Sequence, residues 1–213
     1  MSQRRTEQKV AIITGGSQGI GAGLVDAYRQ RGWVVVANSL SIKPSKDPDL
    51  LTVRGDISEQ ATADRIMSQA LDRFSRVDTL VNNAGVFVSK PFTDYTAEDY
   101  ALVTGVNLAG FFWLTQRAIG QMLKQHGGHV VNIGASIAVH ADSVEPTALT
   151  ALTKGGLAAV TKSLASTLPA AFASMPSRQA SSRPRCIQRS PTRPRRLRGN
   201  CPHSGAWVRS VTS

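Results

Sequence analysis

Short apolar runs without polar alternation recur along most of the chain, and nearly all are followed by a stretch with helical spacing. Val10-Ala11-Ile12-Ile13 marks a strand over 9–14, after which Ile20, Leu24 and Ala27 repeat at helical intervals until Gly32. Trp33 to Asn38 reads as a second strand and Leu50 to Arg54 as a third, with Gly55-Asp56 leading into a helix through Ile66, Ala70 and Phe74. Leu80-Val81 marks a fourth strand that runs into Asn82-Asn83-Ala84-Gly85. A long helix over roughly 97–125 precedes a fifth strand, His129 to Ile133. Pro146 opens a last helix that reaches about Ala165, since proline suits a first helical turn. Strands of this kind, separated by helices, predict an α/β fold with a doubly wound parallel sheet, Rossmann-like, ending after the fifth strand and its helix.

Past about Phe172 the pattern stops. Residues 173–213 hold nine arginines, five prolines and both cysteines, with no lysine, aspartate or glutamate. The net charge of +11 is therefore a property of the tail, because residues 1–172 carry 16 Lys and Arg against all 14 acidic groups. Two regions are expected: an incomplete nucleotide-binding domain over 1–172 and a basic, Pro/Arg-rich, disordered tail over 173–213. Such a tail condenses on phosphate backbones without an evolved site, so no specific nucleic acid is expected as a partner. Cys186 and Cys201 have no metal-type spacing, and the four histidines form no metal cluster. No apolar run of signal or membrane-span length is present, so the cytoplasm and no membrane are the expectation.

The first chemical signal is glycine spacing. Gly15-x3-Gly19-x-Gly21 stands between a strand and a helix, where the backbone can approach a pyrophosphate and meet it with free N–H groups at the positive helix end. Gly-rich turns between strand and helix also arise for tight packing alone, whereas a Walker loop lacks its Gly-Lys-Ser/Thr ending here.

Thr14-Gly15-Gly16-Ser17-Gln18-Gly19-Ile20-Gly21 together with Asn82-Asn83-Ala84-Gly85 resembles the short-chain dehydrogenase/reductase family over about residues 8–165. The resemblance implies NADP or NAD as cofactor and hydride transfer between an alcohol and a carbonyl on a small molecule. It places Gly15, Ser17, Gln18, Gly19, Ile20 and Gly21 round the pyrophosphate, and Asp56 with Ile57 at adenine. Ser39 falls at the ribose, and Asn83, Ala84 and Gly85 beneath the nicotinamide half. Asn107 and Lys154 look like the family's active-site asparagine and lysine, and intact members assemble as homo-oligomers. At the end of the second strand, Asn38 to Lys43 offers hydroxyls, an amide and a cation but no carboxylate, which permits NADP(H) without demanding it.

The chain departs from the family where the proton is handled. Thr150 stands four residues before Lys154, in the place of the family's tyrosine. A phenol, pKa about 10 in water, can be lowered towards neutrality by a neighbouring ammonium, whereas an aliphatic hydroxyl is a poor acid with a short reach. The serine is displaced too: its usual offset from the fifth strand falls on Ala135, with Ser136 one place later. The Leu-Thr-Lys-Gly-Gly-Leu ending resembles a branch of the family that has no tyrosine. The expected catalytic set is Asn107, Ser136, Thr150 and Lys154. A non-catalytic dinucleotide-binding or interaction protein is the alternative.

The tail itself reads as a frame-shifted continuation. Residues 173–191 can be encoded so that the frame starting at each third base gives Ile-Asn-Ala-Val-Ser-Pro-Gly-Ile-Ile, close to the family's missing strand and Pro-Gly turn. Loss of that continuation is expected to leave the edge of the fifth strand bare and the chain inactive or nearly so.

Overall fold

The computed structural model describes residues 8–136, 146–169 and 208–212. Five strands pair in parallel in the order β3-β2-β1-β4-β5: β1 (Val10–Thr14), β2 (Val34–Ser39), β3 (Leu50–Arg54), β4 (Thr79–Asn82) and β5 (His129–Ile133). All five residues of β1 are buried, as are Val34 to Asn38 of β2. This is the burial on both faces that their unbroken apolar sequence predicts.

Successive side chains serve opposite faces. Val10, Ile12, Val34, Val36, Leu80 and Val130 pack on one side with Ile66, Ala70, Leu114 and Met122 from helices α2 (Gln60–Phe74) and α4 (Gly110–Lys124). Ile13, Val35, Ala37, Val81 and Ile133 face the other side, with Val25 from α1 (Gly19–Gln30). Because β1 has β2 on one side and β4 on the other, the order reverses there. A crevice outside the strand ends at this switch point is where such sheets bind ligands.

The expected long helix is three segments in continuous sequence. α3 (Ala97–Thr104) starts in a capping box between Thr96 and Asp99, passes through a π-helical turn over Gly105–Ala109, and continues as α4. The two glycines bounding the turn lie close to the segment after β3: a Cβ at Gly105 would come within 3.3 Å of Ser58, and one at Gly110 within 3.0 Å of Ile57. The last helix, α5 (Ala148–Thr167), stops because Pro169 keeps Leu168 extended, with φ −81° and ψ 150°.

A buried polar ladder crosses the sheet between β4 and β5. Asn82 Nδ2 donates to Thr115 Oγ1 and to Asn132 Oδ1, both at 2.9 Å, and Asn132 Nδ2 donates to Thr161 Oγ1 at 2.8 Å. Each of these side chains is nearly inaccessible, so the ladder ties α4 and α5 to the sheet with few lone ends.

One expectation is corrected at the sheet edge. The parallel sheet ends at β5, but that edge is not bare: β6 (Val208–Thr212) lies along it antiparallel, with His129 opposite Thr212 and Ile133 opposite Val208. Unpaired backbone groups at an edge recruit an extended segment where one can reach them. The expected disorder of the rest of the tail concerns residues outside the described ones.

Candidate active site

Thr14 joins the two sequence motifs into one site. Its Oγ1 accepts from the backbone N–H groups of Asn83 (3.1 Å) and Ala84 (3.0 Å) and lies 3.4 Å from Val81 O, to which it donates. Asn83 Nδ2 donates in turn to Thr14 O and Gly15 O, at 2.9 and 3.2 Å. The side chain of Asn83 is therefore spent on holding the glycine loop. Its neighbour Asn82 faces the opposite way, into the polar ladder, so the adjacent asparagines do different work.

The loop has the shape that an approaching phosphate requires. Gly15 and Gly19 have φ of +66° and +54°, which only glycine adopts at little cost. At Gly21 a Cβ would meet Gly15 O at 2.0 Å, so the helix start packs directly on the loop. Gln18 at the N-cap makes no side-chain cap, and no acidic residue occupies the first turn of α1. Free N–H groups and the positive helix end thus face the crevice together. Ser17, Gln18, Gly19 and Ile20 are exposed beside them, with Ile20 at 53%.

Among the expected adenine residues, Asp56 Oδ1 accepts from Ser58 N (2.9 Å) and Ser58 Oγ (2.8 Å), which shapes the turn after β3. Ile57 is a core residue, 5% exposed and packed on Gly110. At the end of β2, Ser39 Oγ lies 2.8 Å from Ser17 Oγ.

The catalytic candidates gather behind Gly85. Asn107, in the π turn, accepts from Val86 N (2.9 Å) through Oδ1, while its Nδ2 donates to Val86 O and to Thr153 Oγ1, both at 3.1 Å. Thr153 Oγ1 donates onward to Thr150 O at 3.0 Å. Lys154 is buried, and its Nζ donates to Ile133 O at 2.9 Å. A Cβ at Gly85 would sit 3.2 Å from Lys154 Nζ and 3.3 Å from Asn107 Oδ1, so this glycine leaves room for both. Burial pushes the Lys154 ammonium below the ordinary lysine range, with no carboxylate among the described residues to offset it. Thr150 Oγ1 is buried on the same α5 face and has no hydrogen-bond partner among the described residues. Ser136 is half-buried at the end of a described segment; residues 137–145, which connect it to α5, lie outside the described ones.

Sequence reasoning missed Thr14 and Thr153 as members of the site. The signal for Thr153 was available, as it lies one residue before Lys154 and three after Thr150, on the helix face they share. Among the described residues no three His, Cys, Asp or Glu side chains cluster for a metal, and no helix is long and apolar enough to cross a membrane.

Known proteins resemble this chain in sequence and in fold. An uncharacterized oxidoreductase of Methylorubrum extorquens is 33% identical over 175 residues, covering 77% of this chain and 68% of its own length. The 3-oxoacyl-[acyl-carrier-protein] reductase FabG of Thermotoga maritima is 31% identical over 179 residues, covering 77% and 70%. Among solved structures, the 3-ketoacyl-(acyl-carrier-protein) reductase of Brucella melitensis, complexed with NADH, superposes with a TM-score of 0.69 at 29% identity, over 76% of this chain and 70% of that one. The short chain dehydrogenase pattern matches residues 9–171, and with the glycine loop, the Thr14 clasp and the Lys154 pocket in place, the chain belongs to that family of oxidoreductases.

Proposed function

We propose that residues 1–172 form a dinucleotide-binding oxidoreductase body that transfers a hydride between NAD(H) or NADP(H) and a small alcohol or carbonyl substrate. The observation that carries this reading is the uncapped glycine loop facing the same crevice as a buried lysine. When bound, the nicotinamide cofactor supplies or accepts the hydride. Gly15, Ser17, Gly19, Ile20 and Gly21 cradle the pyrophosphate, and Asp56 with the backbone of Ile57 meets adenine. Lys154 has one proton committed to Ile133 O; its other two have no partner among the described residues and would hold the cofactor's ribose hydroxyls.

Proton delivery to the substrate oxygen then falls to hydroxyls of this chain. Thr150 is the buried, unpartnered one, and Ser136 is the second contact. Asn107 is a positioning residue, because its amide is occupied by Val86 and Thr153, leaving a lone pair of Oδ1 for a water in the relay. With threonine in the tyrosine's place, turnover is slow at best, because an aliphatic hydroxyl is a far weaker acid than a phenol. The same substitution favours a second reading, a protein that binds the dinucleotide without turning it over.

The tail bears on activity. A frame-shifted tail lacks the family's parallel continuation of the sheet, and the strand at the β5 edge runs antiparallel. On that reading this form of the chain is inactive or nearly so. Tyr100, Leu102 and Phe112 are exposed on the long helix, which suits association between copies.

Titration of the full-length chain with NADPH and NADH tests the body. Gly19 has open space where a Cβ would go, so Gly19→Leu fills the phosphate approach; because φ is +54° there, the side chain also strains the loop, and a thermal melt of the variant separates lost binding from lost fold. Saturable binding lost in that variant supports the reading, and no binding of either cofactor to the parent chain sinks it. Sequencing the source gene, then restoring the frame and screening aldehydes and ketones, tests the tail and the turnover. A gene without the alternate frame refutes the frameshift, and turnover unchanged by Lys154→Ala refutes that lysine's role.

A further inference from the structure

Helix α5 is pinned to the rest of the fold by two threonines of like chemistry. Thr153 is fully buried, accepts from Asn107 Nδ2 at 3.1 Å, and donates its own proton back to Thr150 O at 3.0 Å. Thr161, about two turns on, is buried too; it accepts from Asn132 Nδ2 at 2.8 Å and donates back to Leu157 O. In both, the hydroxyl proton is committed to the helix backbone, so the oxygen meets the asparagine as an acceptor.

The two differ in what stands beside them. Asn132 lies in β5 and passes on only to Asn82 of the polar ladder, so Thr161 joins helix to sheet. Asn107 instead pairs with Val86, accepting from its N–H at 2.9 Å and donating to its carbonyl at 3.1 Å. Thr153 is the only other partner of that amide among the described residues. Val86 follows Gly85, and a Cβ at Gly85 would lie 3.3 Å from Asn107 Oδ1 and 3.2 Å from Lys154 Nζ. The two polar atoms therefore bracket one point. Asn107 is held there from the loop, and Lys154 reaches it from α5 with Nζ anchored on Ile133 O at 2.9 Å. The Asn107–Thr153 hydrogen bond ties these two sides together. Because Thr153 immediately precedes Lys154 in the helix, displacing the one displaces the other.

We propose that Thr153 is a positioning residue: by holding Asn107 Nδ2 it sets where Asn107 Oδ1 and the Lys154 ammonium stand about Gly85, and so how firmly the site grips the nicotinamide ribose. The inference rests on the reading of Lys154 as the group that holds that ribose. Its part is geometric, since no proton or charge need pass through the threonine. Thr161 is the built-in comparison, equal in burial and bonding but remote from the lysine.

Thermal melts, NADPH titration at 25 °C and an NMR titration of the Lys154 side chain, all on the full-length chain, test the assignment. Thr153→Val and Thr161→Val both melt lower than the parent, because each strands a buried asparagine amide. Only Thr153→Val weakens NADPH, by about 5–10-fold. It alone moves the Lys154 titration further down, because a loosened carbonyl oxygen no longer favours the buried ammonium. Thr153→Ser keeps the hydroxyl and stays within about twofold of the parent. Thr153→Cys, whose sulfur is a weak acceptor, gives an intermediate loss and carries the test where the valine variant does not fold. NADPH affinity and a Lys154 titration unmoved by Thr153→Val, or losses that Thr161→Val shares, make Thr153 a stability residue only and overturn the assignment while the dinucleotide reading stands. A parent chain that binds no NADPH defeats the dinucleotide reading. The Lys154 titration then decides alone: moved by Thr153→Val and not by Thr161→Val it supports the assignment, and any other pattern overturns it.

Discussion

Replacing Thr150 by valine should make the protein more stable, although it deletes a polar group from the centre of the candidate site. The Thr150 side chain is 2% exposed and its hydroxyl has no partner among the described residues. A buried hydroxyl without a hydrogen bond costs about 1–3 kcal/mol of stability. Valine has nearly the same shape, is β-branched like threonine and has similar helix propensity, so the backbone of α5 is indifferent to the change. The expected gain is about 1–2 kcal/mol, which at roughly 2–4 °C per kcal/mol for a chain of this length is a rise of about 2–8 °C in Tm. Thr153→Val is the control, with the opposite sign. Thr153 Oγ1 both receives Asn107 Nδ2 and donates to Thr150 O, so its loss strands a buried amide and costs about 1–3 kcal/mol. Urea and thermal denaturation followed by far-ultraviolet circular dichroism measure both. A Thr150→Val protein destabilised by about 1 kcal/mol or more, or a neutral Thr153→Val, refutes the reasoning.

Two further outcomes follow from the same geometry. Gly21→Ala places a Cβ 2.0 Å from Gly15 O, a backbone atom that cannot swing aside; it should cost about 1–3 kcal/mol of stability and abolish cofactor binding, as read by a melt and a titration. Lys154→Met should stabilise the chain at pH 7. Because burial lowers the folded-state pKa of Lys154, the unfolded chain binds more protons between the two pKa values, so parent stability rises with pH across that window. The advantage of the methionine variant is full below the folded pKa and shrinks as pH climbs towards 10.5, and a difference that stays constant from pH 7 to 10 would contradict a buried ammonium.

The strands were legible because burial on both faces leaves an unambiguous apolar run: β3 and β5 have the bounds the sequence predicts, and β1, β2 and β4 differ by a residue or so at either end. What escaped was contact between distant positions. Asn82 and Asn83 look alike in sequence, and only the pleat of β4 and the loop after it decide that one enters the ladder and the other clasps Thr14, 69 residues away. Arg54 reads as the last polar residue of an ordinary strand until the register sets it opposite Ser39. The edge strand was hidden by composition, since the arginine and proline content of the tail outweighs a short Val-Arg-Ser-Val-Thr run that a free edge can use.

The π turn at Gly105–Ala109 makes this stretch sensitive to counting more than to chemistry. A helix residue subtends about 100°, so the wider turn acts as an angular offset between α3 and α4, and Phe111, Leu114, Ala118 and Met122 face the core only with that offset included. Deleting any one residue there would restore ordinary helical bonding locally, yet swing either the α4 stripe or the Asn107 side of the helix away from its partners. Loops usually absorb changes in length and helices absorb changes of side chain. Here a conservative substitution such as Leu108→Met should pass almost unnoticed, while a single-codon deletion a residue away should be among the most damaging changes the chain can suffer.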